Sequence, residues 1–257
     1  MNILKYWTPN GFEVSSYKFK LNERVNATYN GSGSDNTGKC TYTYNELGFR
    51  GDSIHNEGFK VMSIGCSVTE GVGVNNNETW TSRFCQQIPT SVNLNFGYGG
   101  RSNDYISRCL LSYFDVIKPD LVLIMYTEPH RREFYTNDGG IEPFYYKKWG
   151  YFEETEQGLE EHQALLTINN KEENFNNWYK NHLLIKMFLE LKKCNWLWNG
   201  WFLTNKYSDD KRFDGDFYPF IDYGVDGAHP GVNTHFEYSK KLFNYIKEKY
   251  PNYLPNV

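Results

Sequence analysis

The feature that most constrains the fold of this chain is an uninterrupted apolar run, LVLIMY, at residues 121–126. A strand with one face in water alternates apolar and polar side chains, whereas a continuously apolar strand is covered on both faces. The run therefore indicates a buried strand of a sheet that has helices on both sides.

Apolar runs and helical patterns alternate from residue 59 onward. Strands are predicted at FKVMSIG (59–65), SVNLNFG (91–97), LVLIMY and NWLWNGWFLT (195–204). Helical spacing is found at 76–88, 101–118, 178–194 and 235–250. We expect Asn77 or Asn76 to cap the first helix. Leu184, Met187, Phe188 and Leu191 should share the apolar side of the third. This order predicts a mainly parallel sheet in an α/β fold.

The length of 257 residues suits one large domain. We place this domain at residues 59–257, with residues 1–58 as an N-terminal extension packed on it. A long interruption at about 128–173 is expected to be an insertion, because connections of this length are usually functional or disordered.

The composition excludes several classes of function. A net charge of −4 gives no electrostatic reason to expect nucleic acid as a partner. The five cysteines are odd in number and contain no CxxC pair, which argues against a disulfide framework and a structural zinc site. No metal-ligand cluster or phosphate-binding loop is recognisable, so we expect neither metal nor cofactor. The chain has no signal-peptide pattern and no apolar run of membrane-spanning length, which predicts a cytoplasmic or otherwise soluble protein without membrane contact.

The stretch SIGCSVTEGVGV (63–74) holds the first candidate for chemistry. Ser67 follows the end of a predicted strand, where open parallel sheets place their active sites. Three interpretations remain open here: Ser67 is a nucleophile, Cys66 is the reactive group instead, or the glycines only form a tight turn.

The second candidate is Asp226-Gly227-Ala228-His229, in the loop before the last helix. A serine hydroxyl needs a neighbouring imidazole to accept its proton, and the imidazole needs an anion to hold its tautomer. One loop supplies both groups here, and it should emerge at the same end of the sheet as Ser67.

The third candidate is the glycine turn NFGYGG (95–100). Backbone N–H groups at a turn such as that of Gly100 can point at an oxyanion without a side chain in the way. Taken alone, this glycine could equally ease the entry into the following helix.

Together these residues resemble the SGNH (GDSL-like) hydrolase family. Gly65-x-Ser67-x-Thr69-x-Gly71, the Gly100 turn and Asp226-x-x-His229-Pro230 match three of its four sequence blocks over about residues 59–250. Upstream, NELGFRGD (45–52) is similar to a segment that precedes the first strand in some members.

The resemblance implies a three-layer, flavodoxin-like α/β/α sandwich with a five-stranded sheet. It also implies that Ser67 is the nucleophile, His229 the general base and Asp226 its orienting carboxylate. The backbone N–H groups of Ser67 and Gly100 would then donate to the oxyanion.

Two positions depart from the family pattern. Cys66 replaces the usual aspartate before the serine, and we interpret it as a small buried side chain. The fourth block, Gly-x-Asn-Asp, is missing: Pro129 occupies the asparagine position and cannot donate a hydrogen bond. Arg131, and after it His130, could substitute as the oxyanion donor. The alternative is that Glu128 and the arginines only form surface ion pairs.

The sequence thus predicts a serine esterase that acts on a small-molecule or carbohydrate ester through an acyl-enzyme. A carbohydrate is suggested by the aromatic residues, including Trp196, Trp198 and Trp201. An O-acyltransferase with the same triad and a non-catalytic binding protein of the same fold remain alternatives. The sequence does not distinguish hydrolysis from acyl transfer, and it identifies neither the substrate nor the oligomeric state.

Overall fold

A computed structural model describes residues 24, 26, 28–30, 40–135, 141–144, 170–200, 209–215 and 217–255. The strands, in chain order, are β1 (Thr28–Asn30), β2 (Thr41–Thr43), β3 (Arg50–Gly51), β4 (Phe59–Gly65), β5 (Ser91–Gly97), β6 (Leu121–Tyr126), β7 (Arg132–Tyr135), β8 (Ile141–Phe144) and β9 (Asn195–Gly200). The helices are α1 (Ser67–Glu70), α2 (Trp80–Cys85), α3 (Asn103–Ile117), α4 (Lys171–Leu191) and α5 (Val232–Lys249). Short 3₁₀ turns cover Asn76–Glu78 and Pro251–Tyr253.

The central sheet has five strands in the order β3-β5-β4-β6-β9. Strands β5, β4, β6 and β9 are parallel, and the edge strand β3 runs antiparallel to β5. The fold is therefore the expected α/β architecture with a mainly parallel sheet. From β4 the chain continues to β5 on one side and later returns to β6 on the other. This reversal lies at the carboxyl end of β4, where open α/β sheets bind ligands.

Two apolar cores cover the two faces of the sheet. Alternate residues of one strand point to opposite faces, so Met62 and Ile64 contribute to the core beneath α3 and α4. Val61 contributes to the second core, beneath α2 and α5. The alternation explains why the central strands are apolar throughout.

Helix α4 buries a different face from the one that its sequence suggested. Leu184, Met187 and Leu191 are exposed, and Phe188 is only partly buried. The buried side carries Trp178, Ile185 and Leu189, but also three polar residues, Asn177, Asn181 and His182. A buried face that mixes polar and apolar residues gives little hydrophobic periodicity, and the prediction of the apolar side was therefore wrong.

The predicted helix at 76–88 is divided into a 3₁₀ turn and α2. Asn75 caps the turn in a reciprocal arrangement with Glu78, and the Thr79 side chain accepts a hydrogen bond from Ser82 N–H at the start of α2. Neither Asn76 nor Asn77 caps the α-helix, because the β-region conformation of Thr79 separates the two elements.

Two short antiparallel pairs lie outside the central sheet. β1 pairs with β2, and β7 pairs with β8 in the segment that was predicted as an insertion. The edge strand β3 belongs to the segment that was predicted as an N-terminal extension, and it continues the sheet beside β5.

Candidate active site

Ser67 occupies the turn directly after the central strand β4. It is the first residue of α1, so its backbone N–H has no acceptor within the helix. Ser67 is partly exposed, whereas Cys66 before it is fully buried. A Cβ built on Gly65 would lie 2.1 Å from Thr69 Oγ1, so only glycine allows this close packing of strand and helix.

Asp226 and His229 form a hydrogen-bonded pair in one tight loop. His229 Nδ1 lies 2.5 Å from Asp226 Oδ2, and it must donate because an ionised carboxylate only accepts. The other carboxylate oxygen accepts from the backbone N–H groups of Ala228 and His229 at 3.2 and 3.1 Å. This leaves His229 Nε2 as the ring atom that can accept a proton.

The Asp226 carboxylate is held ionised by these contacts. Its burial raises the pKa, but the hydrogen bonds from the His229 side chain and backbone and from Ala228 N–H outweigh this effect and lower the pKa to about 2. The Asp226 side chain is 5% exposed and that of His229 is 30% exposed. The histidine is thus oriented by a buried anion while one side remains accessible.

The loop is fixed to the start of α5 by Asp222. Gly224 N–H donates to His229 O and Gly231 N–H to Asp222 O, which closes a small hairpin around the pair. The Asp222 carboxylate accepts from Thr234 N–H at 2.9 Å. The helix therefore sets the position of His229.

The turn after Ser67 touches this hairpin. Val225 N–H donates to Gly73 O at 3.0 Å. A Cβ built on Gly73 would lie 2.9 Å from Asp226 Oδ1 and 3.1 Å from Gly224 Cα. The structure therefore brings the segment that carries Ser67 together with the segment that carries Asp226 and His229.

The glycine turn after β5 also lies against Ser67. A Cβ built on Gly99 would lie 3.8 Å from Ser67 Cβ. Gly99 N–H donates to Glu70 Oε2 at 2.5 Å. Gly100, the predicted oxyanion donor, follows at φ +73°, a conformation that favours glycine.

Glu70 is a buried carboxylate whose role was not predicted from the sequence. Besides Gly99 N–H it accepts from Arg24 Nη1 at 2.9 Å and from Tyr44 O–H at 3.4 Å. It thereby connects α1 to the Gly99 turn. The motif around Ser67 did not predict this role of Glu70, because its partners Arg24 and Tyr44 are distant from it in sequence.

The loop after β6 is where the family pattern fails. Arg131 Nε forms an ion pair with Glu128 Oε2, and both side chains are largely buried. This is the ion pair that the sequence analysis gave as the alternative to an oxyanion role. Burial lowers the pKa of His130, with a further contribution from Arg131 and against the effect of Glu128. Among the hydrogen bonds of the described residues, none joins the Arg131 side chain to the Ser67 hydroxyl.

Asn103 holds this loop from the neighbouring helix. It is fully buried, its Oδ1 accepts from Thr127 N–H at 3.0 Å, and its Nδ2 donates to Thr127 O at 3.1 Å. Next to it, Asp104 accepts from Glu133 N–H at 3.0 Å. Asn103 and Asp104 follow β5 in the sequence, and the Asn-Asp pair at this place did not predict a role in the loop after β6.

Two further histidines are buried in the described structure. His235 is fully buried and accepts a hydrogen bond from Trp80 N–H at Nδ1, which is a structural role. Burial lowers its pKa to about 3. His182 lies between Tyr126 O–H and the Asp209 carboxylate at 3.1 and 3.2 Å.

The predicted nucleophile and base are not hydrogen-bonded to each other. Ser67 Oγ lies 4.0 Å from Cys66 Sγ, and no hydrogen bond to His229 is present among the described residues. Catalytic hydrogen bonds of ligand-free enzymes are often long and shorten only in the substrate complex.

No family model and no curated protein match this chain. Several solved structures are similar in fold. A carbohydrate esterase family 2 enzyme with a carbohydrate-binding domain from Corynascus thermopiles (Myceliophthora fergusii) is 11% identical, with a TM-score of 0.43, over 74% of this chain and 66% of that one. A member of the lipolytic protein G-D-S-L family from Veillonella parvula is 11% identical (TM-score 0.33; 72% and 96%). The esterase EstA from Pseudoalteromonas is 13% identical (TM-score 0.36; 74% and 97%).

Within the described residues, none of the helices combines the length and hydrophobicity needed to cross a membrane. The same residues contain no group of three or more histidine, cysteine, aspartate or glutamate side chains that could hold a metal ion. The absence of a metal or cofactor from the reaction stays a prediction.

Proposed function

We propose that this protein is a serine esterase that cleaves a carboxylic ester through an acyl-enzyme on Ser67. The observation that carries the proposal is the Asp226–His229 pair in a hairpin that packs on the turn after Ser67. An oriented, partly exposed imidazole is what a serine hydroxyl needs in order to become a nucleophile.

The reaction follows from these groups. As Ser67 Oγ attacks the ester carbonyl carbon, its proton passes to His229 Nε2 and the carbonyl oxygen becomes an oxyanion. When the carbon–oxygen bond to the alcohol breaks, His229 returns that proton to the leaving oxygen. Water then gives a proton to His229 Nε2 and attacks the acyl carbon. As the bond between this carbon and Ser67 Oγ breaks, His229 gives the proton to Oγ, which releases the acid and restores both residues. Asp226 stays ionised throughout and stabilises the imidazolium.

The oxyanion would be bound by backbone N–H groups. Ser67 N–H at the start of α1 is one proposed donor, and Gly100 N–H in the turn beside Ser67 is the other. Arg131 is the proposed third donor, in place of the asparagine that Pro129 excludes. Its ion pair with Glu128 would have to rearrange when substrate binds.

An acylated carbohydrate is the proposed substrate class, on the basis of aromatic rings near the hairpin. Tyr223 is exposed, its backbone pairs with Pro230 next to His229, and its ring lies 5.7 Å from that of Phe220. Exposed tyrosine rings can stack on sugar rings. Trp196 and Trp198 were expected to contribute, but both are buried in the core and cannot contact a substrate. Trp201 lies outside the described residues.

Two other functions use the same fold. A non-catalytic binding protein is favoured by the missing Ser67–His229 hydrogen bond and by Pro129. An O-acyltransferase would form the same acyl-enzyme and pass the acyl group to an acceptor hydroxyl instead of water.

The proposal is tested by labelling with a fluorophosphonate and by hydrolysis of p-nitrophenyl acetate. Wild type should be labelled and should hydrolyse the ester, Ser67→Ala should do neither, and Cys66→Ser should keep both activities. Wild type without label or hydrolysis above Ser67→Ala would reject the esterase. Loss of labelling in Cys66→Ser, with labelling kept in Ser67→Ala, would assign the nucleophile to the cysteine.

A further inference from the structure

Arg50 is a fully buried arginine whose guanidinium binds the segment that follows Ser67. Nη1 donates to Glu70 O and Gly71 O at 2.9 and 2.6 Å, and Nη2 donates to Val74 O at 2.9 Å. Nε donates to Asn76 Oδ1 at 2.8 Å. Only 1% of the Arg50 surface is exposed. All three nitrogens of the side chain are thus used to fix residues 70–76.

These contacts supply what α1 lacks by itself. The last carbonyl groups of a helix have no partner within it, and a helix of four residues consists almost entirely of such ends. The planar guanidinium binds several carbonyls at once, whereas a lysine ammonium is a single compact charge. Arg50 therefore determines the path of the chain immediately after Ser67.

Tyr42 holds the same segment from strand β2. Its hydroxyl accepts from Gly73 N–H at 2.7 Å, and the Arg50 guanidinium carbon lies 4.1 Å from the centre of its ring. The middle of the segment is in turn bound to the catalytic hairpin, since Gly73 O accepts from Val225 N–H. Residues 70–76 thus begin at the helix of Ser67 and contact the loop of His229 through Gly73.

We propose that Arg50 is a positioning residue, which sets the distance between Ser67 and the Asp226–His229 pair by fixing residues 70–76 between them. The role rests on the proposed esterase function. Arg50 itself contacts neither substrate nor reacting atoms. Its effect is on the rate constant of attack by Ser67, because small displacements of a nucleophile from its base lower that rate steeply.

The experiment compares Arg50→Lys with Arg212→Lys in the full chain. Arg212 is also buried, but its ion-pair partner is Asp214 on the loop after β9. Each protein is reacted with a fluorophosphonate under pseudo-first-order conditions. The amplitude counts the molecules with an intact site, and the rate constant reports how well Ser67 is activated in each of them. A merely structural role lowers only the amplitude.

Arg50→Lys should keep most of the amplitude and lower the rate constant about tenfold or more, while Arg212→Lys should match wild type in rate. Equal rate constants in the two variants and wild type would overturn the positioning role. If wild type is not labelled, the proposed esterase function and the positioning role are both overturned. If wild type is labelled and the rate constants are equal, only the positioning role is overturned.

If Arg50→Lys does not fold, Tyr42→Phe is used to test the positioning role. It removes only the hydroxyl that binds Gly73 N–H, and the control is Tyr245→Phe, whose hydroxyl donates to Arg212 O at 3.0 Å. A rate constant lowered about threefold or more in Tyr42→Phe alone supports the role. Equal rates in both tyrosine variants reject it.

Discussion

Gly73 lies directly against the carboxylate of Asp226, so closely that a Cβ on the glycine would be 2.9 Å from Oδ1. The two residues are far apart in sequence: Gly73 follows the block of the proposed catalytic motif that carries Ser67, and Asp226 belongs to the block that carries His229. Their contact makes the position of the general base depend on the backbone that follows the nucleophile.

Gly73→Ala should therefore impair the reaction more than its backbone strain explains. Gly73 has φ +88°, and Gly227, in the hairpin, has φ +68° with no atom within 4 Å of a built Cβ. Both alanine variants carry the cost of a left-handed residue, about 1 kcal/mol, but only Gly73→Ala displaces Asp226. We expect a kcat/KM about tenfold lower or more for Gly73→Ala than for Gly227→Ala, measured with an aryl ester. Equal values would contradict a functional contact.

Asp226 should make the folded protein less stable as the pH becomes acidic. Its folded pKa of about 2 lies below the usual value of 3.8, so the unfolded state binds more protons between these two values. The stabilisation by the carboxylate is complete above about pH 4 and is lost as the pH falls toward 2. The difference in free energy of unfolding between wild type and Asp226→Asn, from urea titrations, should be largest at neutral pH and shrink over this range. A difference that does not change with pH would show that the charge is not involved.

His235 should also lower the stability of the protein as the pH falls, and its effect should begin at a higher pH than that of Asp226. Its pKa is lowered from 6.5 to about 3 by burial, so the unfolded state takes up a proton that the folded state does not. Stability is complete above pH 6.5 and falls as the pH decreases toward 3. His235→Gln should be less stable than wild type at pH 7, and the difference should become smaller toward pH 4. A parallel pH dependence of the two proteins would exclude this histidine as the cause.

The fold could be predicted from sequence because its main determinant is local. The strands of the central sheet are apolar, and the apolar residues of most helical segments recur with helical spacing. The order of strands and helices can therefore be recognised in the sequence. Helix α4 is the exception. Its buried side includes Asn181, which donates to Asp104, and His182, which binds Tyr126, and neither contact has a signal in the local pattern.

The candidate site could be predicted only in part for a similar reason. Ser67, Asp226 and His229 lie in short motifs whose residue types are required by the chemistry. The groups that hold them, such as Arg50 and Glu70, act across long sequence separations and could not be inferred from spacing. Asn103 follows β5 in the sequence, so its contact with the loop after β6 is seen only in the three-dimensional arrangement of the two strands.

Asn103→Ala should destabilise the loop after β6. The substitution removes both partners of the buried Thr127 backbone groups, and each buried group left without a hydrogen bond costs about 1–3 kcal/mol. Urea unfolding should show a loss in that range or above, whereas Asn56→Ala, at an exposed position, should change stability by less than about 0.5 kcal/mol. Equal stability of the two variants would contradict the role of Asn103.

Arg131 offers the most direct test of the oxyanion site. If its guanidinium binds the oxyanion, Arg131→Ala should lower kcat for an activated ester about tenfold or more, since loss of one such donor typically costs 10²–10³-fold. Glu128→Gln keeps the guanidinium and removes the negative charge that now pairs with it, so its kcat should equal or exceed that of wild type.

Arg132→Ala is the matched control for Arg131, because this neighbouring arginine donates instead to Glu173 O at 3.0 Å on α4. Its kcat should stay close to that of wild type. An unchanged kcat in Arg131→Ala would leave the oxyanion to the backbone donors at Ser67 and Gly100. Equal losses in Arg131→Ala and Glu128→Gln would instead show that the ion pair supports the loop and that the guanidinium does not act on the substrate.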